Sequence, residues 1–184
     1  MKKTLSLFTA ICLLILCIPQ CVSATEIAEE PVAYAAIVDG DGNVVETLQV
    51  EVVETEVNGN QRNNGATRSV TYTARSTTTT SGTSNPKDGI TATLTISWND
   101  FLGTDNQLIS VSGAWAVGEE TISDRVVEYT AYSVGGKVLQ SLSKNPTTNS
   151  FIYEPTNFTG FYFSLTSSAK INSTSNYLTF TITT

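Results

Sequence analysis

The sequence predicts an all-β fold, namely an antiparallel β-sandwich of immunoglobulin-like architecture preceded by an acidic β-hairpin segment. Three observations predict it. Beyond residue 66, apolar and polar residues alternate with a period of two, turn residues cluster about every eight to twelve positions, and no stretch has helical periodicity. The immunoglobulin-like label describes architecture only, because this part of the chain lacks the cysteine pair of true immunoglobulin domains.

Residues 1–24 have the features of a secretory signal peptide. Lys2 and Lys3 precede the apolar stretch Leu5 to Ile18, and residues 22–24 provide a signal-peptidase site. We therefore expect cleavage before Thr25 and a secreted, extracellular product. The apolar stretch is shorter than the roughly 18 to 20 residues of a spanning helix, and no second one follows, so we expect no membrane insertion after cleavage.

The cysteines also belong to this leader. All three, Cys12, Cys17 and Cys21, precede the cleavage site, so the exported chain cannot form a disulfide. An alternative is that Cys21 is acylated as in a lipoprotein, but Gln20 before it is unlike the small residue expected there. A secreted chain without cysteine that begins with a short Lys-Lys signal is typical of bacteria. Its stability has to come from buried apolar side chains rather than from a disulfide, which contributes about 2 to 4 kcal/mol.

Charge divides the exported chain into two parts. Residues 25–60 contain nine acids and no Lys or Arg, whereas residues 61–184 contain eight acids and eight bases. Removal of Lys2 and Lys3 with the signal changes the formal net charge from −7 to −9. This balance argues against nucleic acid and anionic lipid as partners, because both require clustered Lys and Arg.

These patterns predict the domain organisation. Residues 25–57 form an acidic N-terminal segment in which Tyr34 to Val38 and Val44 to Val57 are strands of a hairpin. The run Asp39-x-Asp41-x-Asn43 between them resembles the start of a calcium loop, but valines replace the required glycine and glutamate, so we predict a turn. Residues 58–66 form a linker, and residues 67–184 form the β-sandwich domain.

Three hairpins are predicted within the sandwich. The first has a register that puts both apolar sets on one face, with Ile96 facing Ile109, Leu94 facing Val111, Ala92 facing Gly113 and Ile90 facing Trp115. The second turns at Gly135-Gly136 and places Tyr129 opposite Leu142 and Ser133 opposite Val138. In the third, the inward residues are Phe161, Phe163, Leu165, Leu178, Phe180 and Ile182. The run Thr77 to Thr80 and the C-terminal strand are predicted sheet edges open to strand addition.

The composition argues against an enzyme. The absence of histidine excludes Ser-His-Asp triads and His-based zinc sites, and the absence of cysteine after export excludes thiol nucleophiles. The run Ser141 to Lys144 has the Ser-x-x-Lys spacing of serine β-lactamases, but that motif requires a helix and this run is a predicted strand. Carboxylates are the remaining catalytic option.

Four carboxylates are predicted to gather at one end of the sandwich, because loops 81–89 and 116–125 should lie together there. They are Asp88, Glu119, Glu120 and Asp124. Oxygen clusters of this kind are candidate calcium ligands, and paired carboxylates suit glycoside hydrolysis. We predict no other cofactor.

Tyrosines provide the candidate ligand-binding residues. Trp98 and Trp115 fall on the apolar face and are predicted core residues, whereas four tyrosines fall in the outward phase: Tyr132, Tyr153, Tyr162 and Tyr177. The leading hypothesis is a secreted bacterial, non-catalytic β-sandwich module for binding or cell-envelope association, with a glycan or a cell-surface protein as candidate partner. The first alternative is a carbohydrate-binding domain that uses the outward tyrosines. The second is a metal-free glycoside hydrolase that uses the loop carboxylates.

Overall fold

The computed structural model describes residues 32–57, 65–75, 90–101, 105–118 and 120–184. These residues form twelve strands and no helix, which confirms the predicted all-β class. The strands are β1 (Val32–Val38), β2 (Val44–Thr47), β3 (Gln49–Val57), β4 (Gly65–Arg75), β5 (Thr91–Phe101), β6 (Asn106–Ala116), β7 (Ile122–Tyr132), β8 (Val138–Lys144), β9 (Ser150–Tyr153), β10 (Thr159–Gly160), β11 (Tyr162–Ile171) and β12 (Tyr177–Thr183). In this part of the chain, no helix is long and apolar enough to cross a lipid bilayer.

The strands form two antiparallel sheets in a sandwich-like arrangement. Sheet A has the order β2-β1-β12-β11-β7-β8, and sheet B has the order β10-β6-β5-β4-β3, with β9 also paired to β6. The chain passes from one sheet to the other between β2 and β3, β6 and β7, β8 and β9, and β10 and β11. We call the face of each sheet that is turned away from the other sheet its outer face.

The hydrophobic core lies between the two sheets and is built from alternate residues of each strand. In β5, Ala92, Leu94, Ile96 and Trp98 are buried, while the threonines between them are only half-buried. Sheet A contributes Phe163, Leu165, Leu178, Phe180 and Ile182, all fully buried. Each large side chain buried in this way contributes about 1.5 to 3 kcal/mol, and the alternation is the period-two pattern of the sequence.

The register predicted for β5 and β6 is wrong. Ile96 lies opposite Val111 rather than Ile109, and Leu94 lies opposite Gly113. The partners of Ile96 and Leu94 are thus two residues further along β6 than predicted, and a β-bulge between Ser97 and Trp98 pairs Trp98 with Leu108 and leaves Ile109 as the extra residue of β6. Leu108 is therefore buried and Ile109 is exposed, which is the reverse of the prediction.

The two other hairpins agree with the prediction at most positions. Tyr129 lies opposite Leu142 as predicted, but Val138 pairs with Tyr132 instead of Ser133. The turn has three residues rather than two: Gly136 has a φ of 76°, and its N–H donates to the Ser133 carbonyl, as in a type I turn followed by a glycine bulge. In the last hairpin, five of the six predicted residues are buried, and Phe161 is 44% exposed because it precedes β11.

Residues 32–57 contribute strands to both sheets. β1 pairs with β2 on one side and with β12 on the other, while β3 pairs with β4. Between β2 and β3 the chain changes sheets at Leu48, which is buried and donates its N–H to the Ala35 carbonyl. Of the other predicted segments, the signal peptide and residues 58–64 of the linker lie outside the described residues, and the last linker residues, 65 and 66, begin β4.

The Asp39 turn joins β1 to β2. The Asp39 carboxylate accepts hydrogen bonds from the backbone N–H of Asp41 and of Asn43 and from the Asn43 side-chain amide, at distances of 2.8 to 3.3 Å. The hydrogen bonds from Asn43, the side-chain amide first, lower the pKa of Asp39 below its ordinary value. These contacts form a turn between Val38 and Val44, but of the predicted second strand, Val44 to Val57, only β2 pairs with β1, since β3 lies in the other sheet.

Candidate binding surface on the outer face of sheet A

The structure brings two of the four candidate tyrosines together. Tyr132, at the end of β7, lies directly opposite Tyr162, at the start of β11. Both are on the outer face of sheet A, since Ala131 and Phe163 beside them are fully buried. Their rings are stacked, with centroids 4.8 Å apart and planes inclined by 10°.

This stacking determines which parts of the tyrosines a ligand can reach. Side chains on neighbouring strands stand roughly perpendicular to the sheet, so two stacked rings cover one face of each other. Both tyrosines are half-buried. The pair therefore combines apolar ring surface with two hydroxyl groups that can form hydrogen bonds.

Two glycines hold the chain close to this tyrosine pair. A Cβ on Gly160 would lie 2.9 Å from the Ala131 Cβ and 3.0 Å from the Tyr132 carbonyl oxygen, so only glycine allows β10 to pass this close to β7. Immediately after it, the Phe161 N–H donates to the same carbonyl at 2.7 Å. On the other side, a Cβ on Gly136 would lie 3.5 Å from the Tyr162 hydroxyl, so the β7–β8 turn lies beside the pair.

Polar side chains lie on the same face next to Tyr132. Two residues earlier on β7, the Thr130 hydroxyl is 3.0 Å from the Ser141 hydroxyl of β8. Ser141 also donates to Glu128 Oε1 at 3.0 Å. Glu128, Thr130 and Ser141 thus form a connected carboxylate and hydroxyl group beside the aromatic pair. We call these three residues, together with Tyr132 and Tyr162, the tyrosine surface.

The other two candidate tyrosines lie elsewhere. Tyr177 starts β12 opposite Lys170, which is eight positions along β11 from Tyr162 and hence roughly 25 Å away. The prediction that Tyr153 faces outward is wrong. It alternates with Ile152, which is 65% exposed, and it packs against the core with Phe151.

Tyr129 lies behind this part of sheet A. Its ring contacts Tyr153 and Phe158 with centroid distances of 6.5 and 5.3 Å. Burial, followed by the electrostatic effect of Tyr153, raises the pKa of Tyr129 above its ordinary value. Tyr129 is therefore a core residue with a phenol that stays neutral to higher pH, and not a part of the outer surface.

The outer face of sheet B has a different chemistry. Hydroxyl and amide groups of β4 and β5 pair across the strands, namely Thr67 with Asn99, Ser69 with Ser97 and Thr71 with Thr95, at 2.8 to 2.9 Å. No aromatic side chain lies among these pairs. These pairs therefore lack the apolar ring surface that the tyrosine surface adds to its hydroxyl and carboxylate groups.

The predicted calcium ligands are only partly described. Asp88 and Glu119 lie outside the described residues, and Glu120 is exposed in the connection between β6 and β7. Asp124 lies in β7 rather than in a loop, with a φ of 46° near an irregular pairing with β11. Within the ranges that the structure describes, no three His, Cys, Asp or Glu residues are grouped as metal ligands.

The sequence patterns did not identify Glu128, Thr130 and Ser141 as site residues, nor Tyr34 on the same face. For Glu128 the sequence does carry a signal, because its alternation with Val127 and Tyr129 indicates an outward position. Tyr34 of β1 is 50% exposed and lies opposite Thr181, and its place became clear only from the pairing of β1 with β12. No protein-family model, curated protein or solved structure gives a significant match to this chain.

Proposed function

We propose that the protein is a secreted bacterial module that binds a ligand without catalysis, and that the tyrosine surface is its binding site. The observation that carries the proposal is the stacked pair of Tyr132 and Tyr162 directly beside the connected group of Glu128, Thr130 and Ser141. Apolar ring surface next to a few convergent polar groups is the combination that ligand sites use.

Carbohydrate is the ligand class that this chemistry favours. A sugar has apolar C–H faces, which pack on aromatic rings, and many hydroxyl groups, which both donate and accept hydrogen bonds. The Glu128 carboxylate is a strong acceptor for such hydroxyls, because hydrogen bonds to an ionised group are roughly twice as strong as neutral ones. A cell-surface protein is the second candidate partner, since tyrosine with serine and threonine also suits protein recognition.

We include in this proposal that the sandwich is of the immunoglobulin-like type. Only antiparallel pairing and repeated passage of the chain between two sheets support an immunoglobulin-like sandwich. The leader-like sequence of residues 1–24 supports secretion. Glycoside hydrolysis stays an untested alternative, for which two carboxyl groups about 5 to 9.5 Å apart would be needed.

Binding by the mature chain, residues 25–184, tests the proposal. A fragment that begins at residue 61 is unsuitable, because it would lack β1 to β3. The probes are a glycan array and purified bacterial peptidoglycan, each with and without calcium. We expect binding of at least one glycan, and a loss of about tenfold or more in affinity for Tyr132→Ala and Tyr162→Ala, since one good aromatic contact contributes more than about 1 kcal/mol.

The matched control is Tyr177→Ala, which removes a half-buried tyrosine at the opposite end of the same sheet. Its affinity should stay within about twofold of the unmodified protein. Glu128→Gln keeps the shape of the side chain and should weaken binding by removing the charged acceptor. Absence of binding to every probe, or equal affinity of all variants, would contradict the proposal. A requirement for calcium would instead direct attention to Glu120 and Asp124.

A further inference from the structure

Within the described ranges the two sheets have four edges, and the strands at these edges differ in length. β2 has four residues. The edge beside β6 is formed by β9, which has four residues, and β10, which has two. The other two edges are longer, with nine residues in β3 and seven in β8. Among the described residues, β3 pairs only with β4 and β8 only with β7. Short edge strands offer little to an incoming strand, so β3 and β8 are the two edges that can accept one.

The β8 edge is apolar and basic. All seven of its residues are exposed, including Val138, Leu139 and Leu142, which are 42 to 52% exposed. From Ser133 to Asn149 the only charged residues are Lys137 and Lys144. Lys144 lies opposite Val127 in β7, and Glu128 is the next residue along that strand, on the other face of the sheet. Glu128 therefore does not neutralise the lysine.

The β3 edge is apolar and acidic. Val52 is 56% exposed. The strand contains Glu51, Glu54 and Glu56 and no base. Arg75 of β4 lies 3.8 Å from Glu51, but both side chains are more than half exposed, so this contact is weak. The two long edges formed by the described strands thus carry opposite charges.

We propose that the mature protein self-associates head to tail, with the β8 edge of one copy pairing with the β3 edge of the next. Like charges on facing strands are destabilising and opposite charges are stabilising, so β8 with β8 and β3 with β3 are disfavoured. An antiparallel arrangement with Leu142 opposite Val53 places Lys144 opposite Glu51. Such a contact uses two different surfaces, so it continues from copy to copy until it closes into a ring or extends as a filament. It does not depend on the proposed ligand site.

Charge reversal of each edge tests this contact. The measurement is sedimentation velocity of the mature chain over a range of concentrations, at about 50 mM and about 500 mM salt, because salt screens exposed charges. We expect the unmodified chain to associate at low salt and to dissociate at high salt. In the double variant Lys137→Glu with Lys144→Glu, the β8 edge becomes acidic like the β3 edge. In the double variant Glu51→Lys with Glu54→Lys, the β3 edge becomes basic like the β8 edge. Each double variant alone should associate at least tenfold more weakly, and an equimolar mixture should associate again.

Cysteine cross-linking identifies the paired edges independently of the charge variants. The exported chain contains no cysteine of its own. Ser143→Cys on β8 and Val52→Cys on β3 lie opposite each other in the arrangement above. Mild oxidation of a mixture of the two variants should give the mixed disulfide dimer in clear excess over either homodimer. A monomeric unmodified chain at every concentration, a mixture of folded charge variants that stays monomeric, or an excess of homodimers would overturn the proposal.

Discussion

Gly113 of β6 shows how a single absent side chain permits the packing of the core. A Cβ at this position would lie 2.6 Å from the Thr93 carbonyl oxygen, 2.7 Å from Leu94 Cδ2 and 2.8 Å from Phe151 Cζ. The first of these is a backbone atom, which cannot move without disturbing the β5–β6 pairing. We expect Gly113→Ala to lower the free energy of unfolding by about 1 to 3 kcal/mol, as overpacking does, measured by urea denaturation.

The control for this prediction is Gly135→Ala in the β7–β8 turn. There the nearest atom to an added Cβ is 4.0 Å away, and the backbone does not have a positive φ. Its free energy of unfolding should change by less than about 0.5 kcal/mol. Equal stability of the two variants would mean that β5, β6 and β9 do not pack as closely as described.

Asp39 provides a pH-dependent contribution to the β1–β2 turn. Its pKa is lowered because the carboxylate accepts hydrogen bonds from Asn43 and from backbone N–H groups. The ionised form therefore stabilises the folded state above the ordinary aspartate pKa of about 4, and this stabilisation is lost as the pH falls through the lower folded-state pKa. An NMR titration of the Asp39 carboxyl carbon should give a midpoint below the ordinary value. Asn43→Ala should move that midpoint upward, and an unchanged midpoint would contradict the assigned contacts.

At the level of single elements, the β6 bulge distinguishes the observed register from the one that simple alternation predicts. Leu108 is 1% exposed and Ile109 is 37% exposed. We expect Leu108→Ala to cost about 2 to 5 kcal/mol of stability and Ile109→Ala to cost less than about 1 kcal/mol. Denaturant unfolding of the two variants measures the difference. If Ile109→Ala cost more stability than Leu108→Ala, the result would contradict the bulge and support the regular register.

A comparison of β5 with β6 shows which features cannot be predicted from the sequence. The alternation in β5 correctly gave its buried face, because each inward position holds an apolar residue and each outward position a hydroxyl residue. In β6, Leu108 and Ile109 are adjacent and both apolar, so either could face the core. Only the pairing with Trp98 determines the choice, and that pairing depends on a bulge with no sequence signal of its own.

The edges of the sheets were also beyond local sequence patterns. The C-terminal strand, β12, was predicted to be an edge, but it lies inside sheet A between β1 and β11, so that prediction is wrong. Its partner β1 comes from the other end of the sequence, and contacts between distant segments are not encoded in local periodicity. The run Thr77 to Thr80 lies outside the described residues.

At the level of the whole molecule, the acidic N-terminal segment and the rest of the chain share one core. Ala35, Ile37 and Leu48 belong to the same buried cluster as Leu178 and Phe180. We therefore expect the mature chain to unfold in a single cooperative transition, measured by calorimetry. A fragment of residues 61–184 should fail to fold, because β12 would keep β11 but lose β1, and buried residues that share the core with residues 32–57 would be exposed. A fragment with the near-ultraviolet circular dichroism and melting temperature of the mature chain would contradict this expectation.

The candidate site could also be predicted only in part, because it depends on contacts between segments that are distant in the sequence. Alternation correctly identified Tyr132 and Tyr162 as outward residues, but their stacking requires that β7 pair with β11, about thirty residues later in the chain. The orientation of Tyr153 was predicted wrongly because β9 follows a short irregular connection, which does not indicate which of its residues face the core. The hydroxyl and carboxylate group beside the pair likewise depends on the β7–β8 register.

NMR mapping of the bound ligand tests the central claim most directly. The experiment titrates isotope-labelled mature chain with the glycan that binds most tightly on the array and follows each backbone amide. We predict that the changes in chemical shift concentrate at residues 128–134, 141 and 161–164, around Tyr132 and Tyr162. Changes confined to the hydroxyl pairs on the outer face of sheet B, around Thr71 and Thr95, would show that the tyrosine surface is not the binding site.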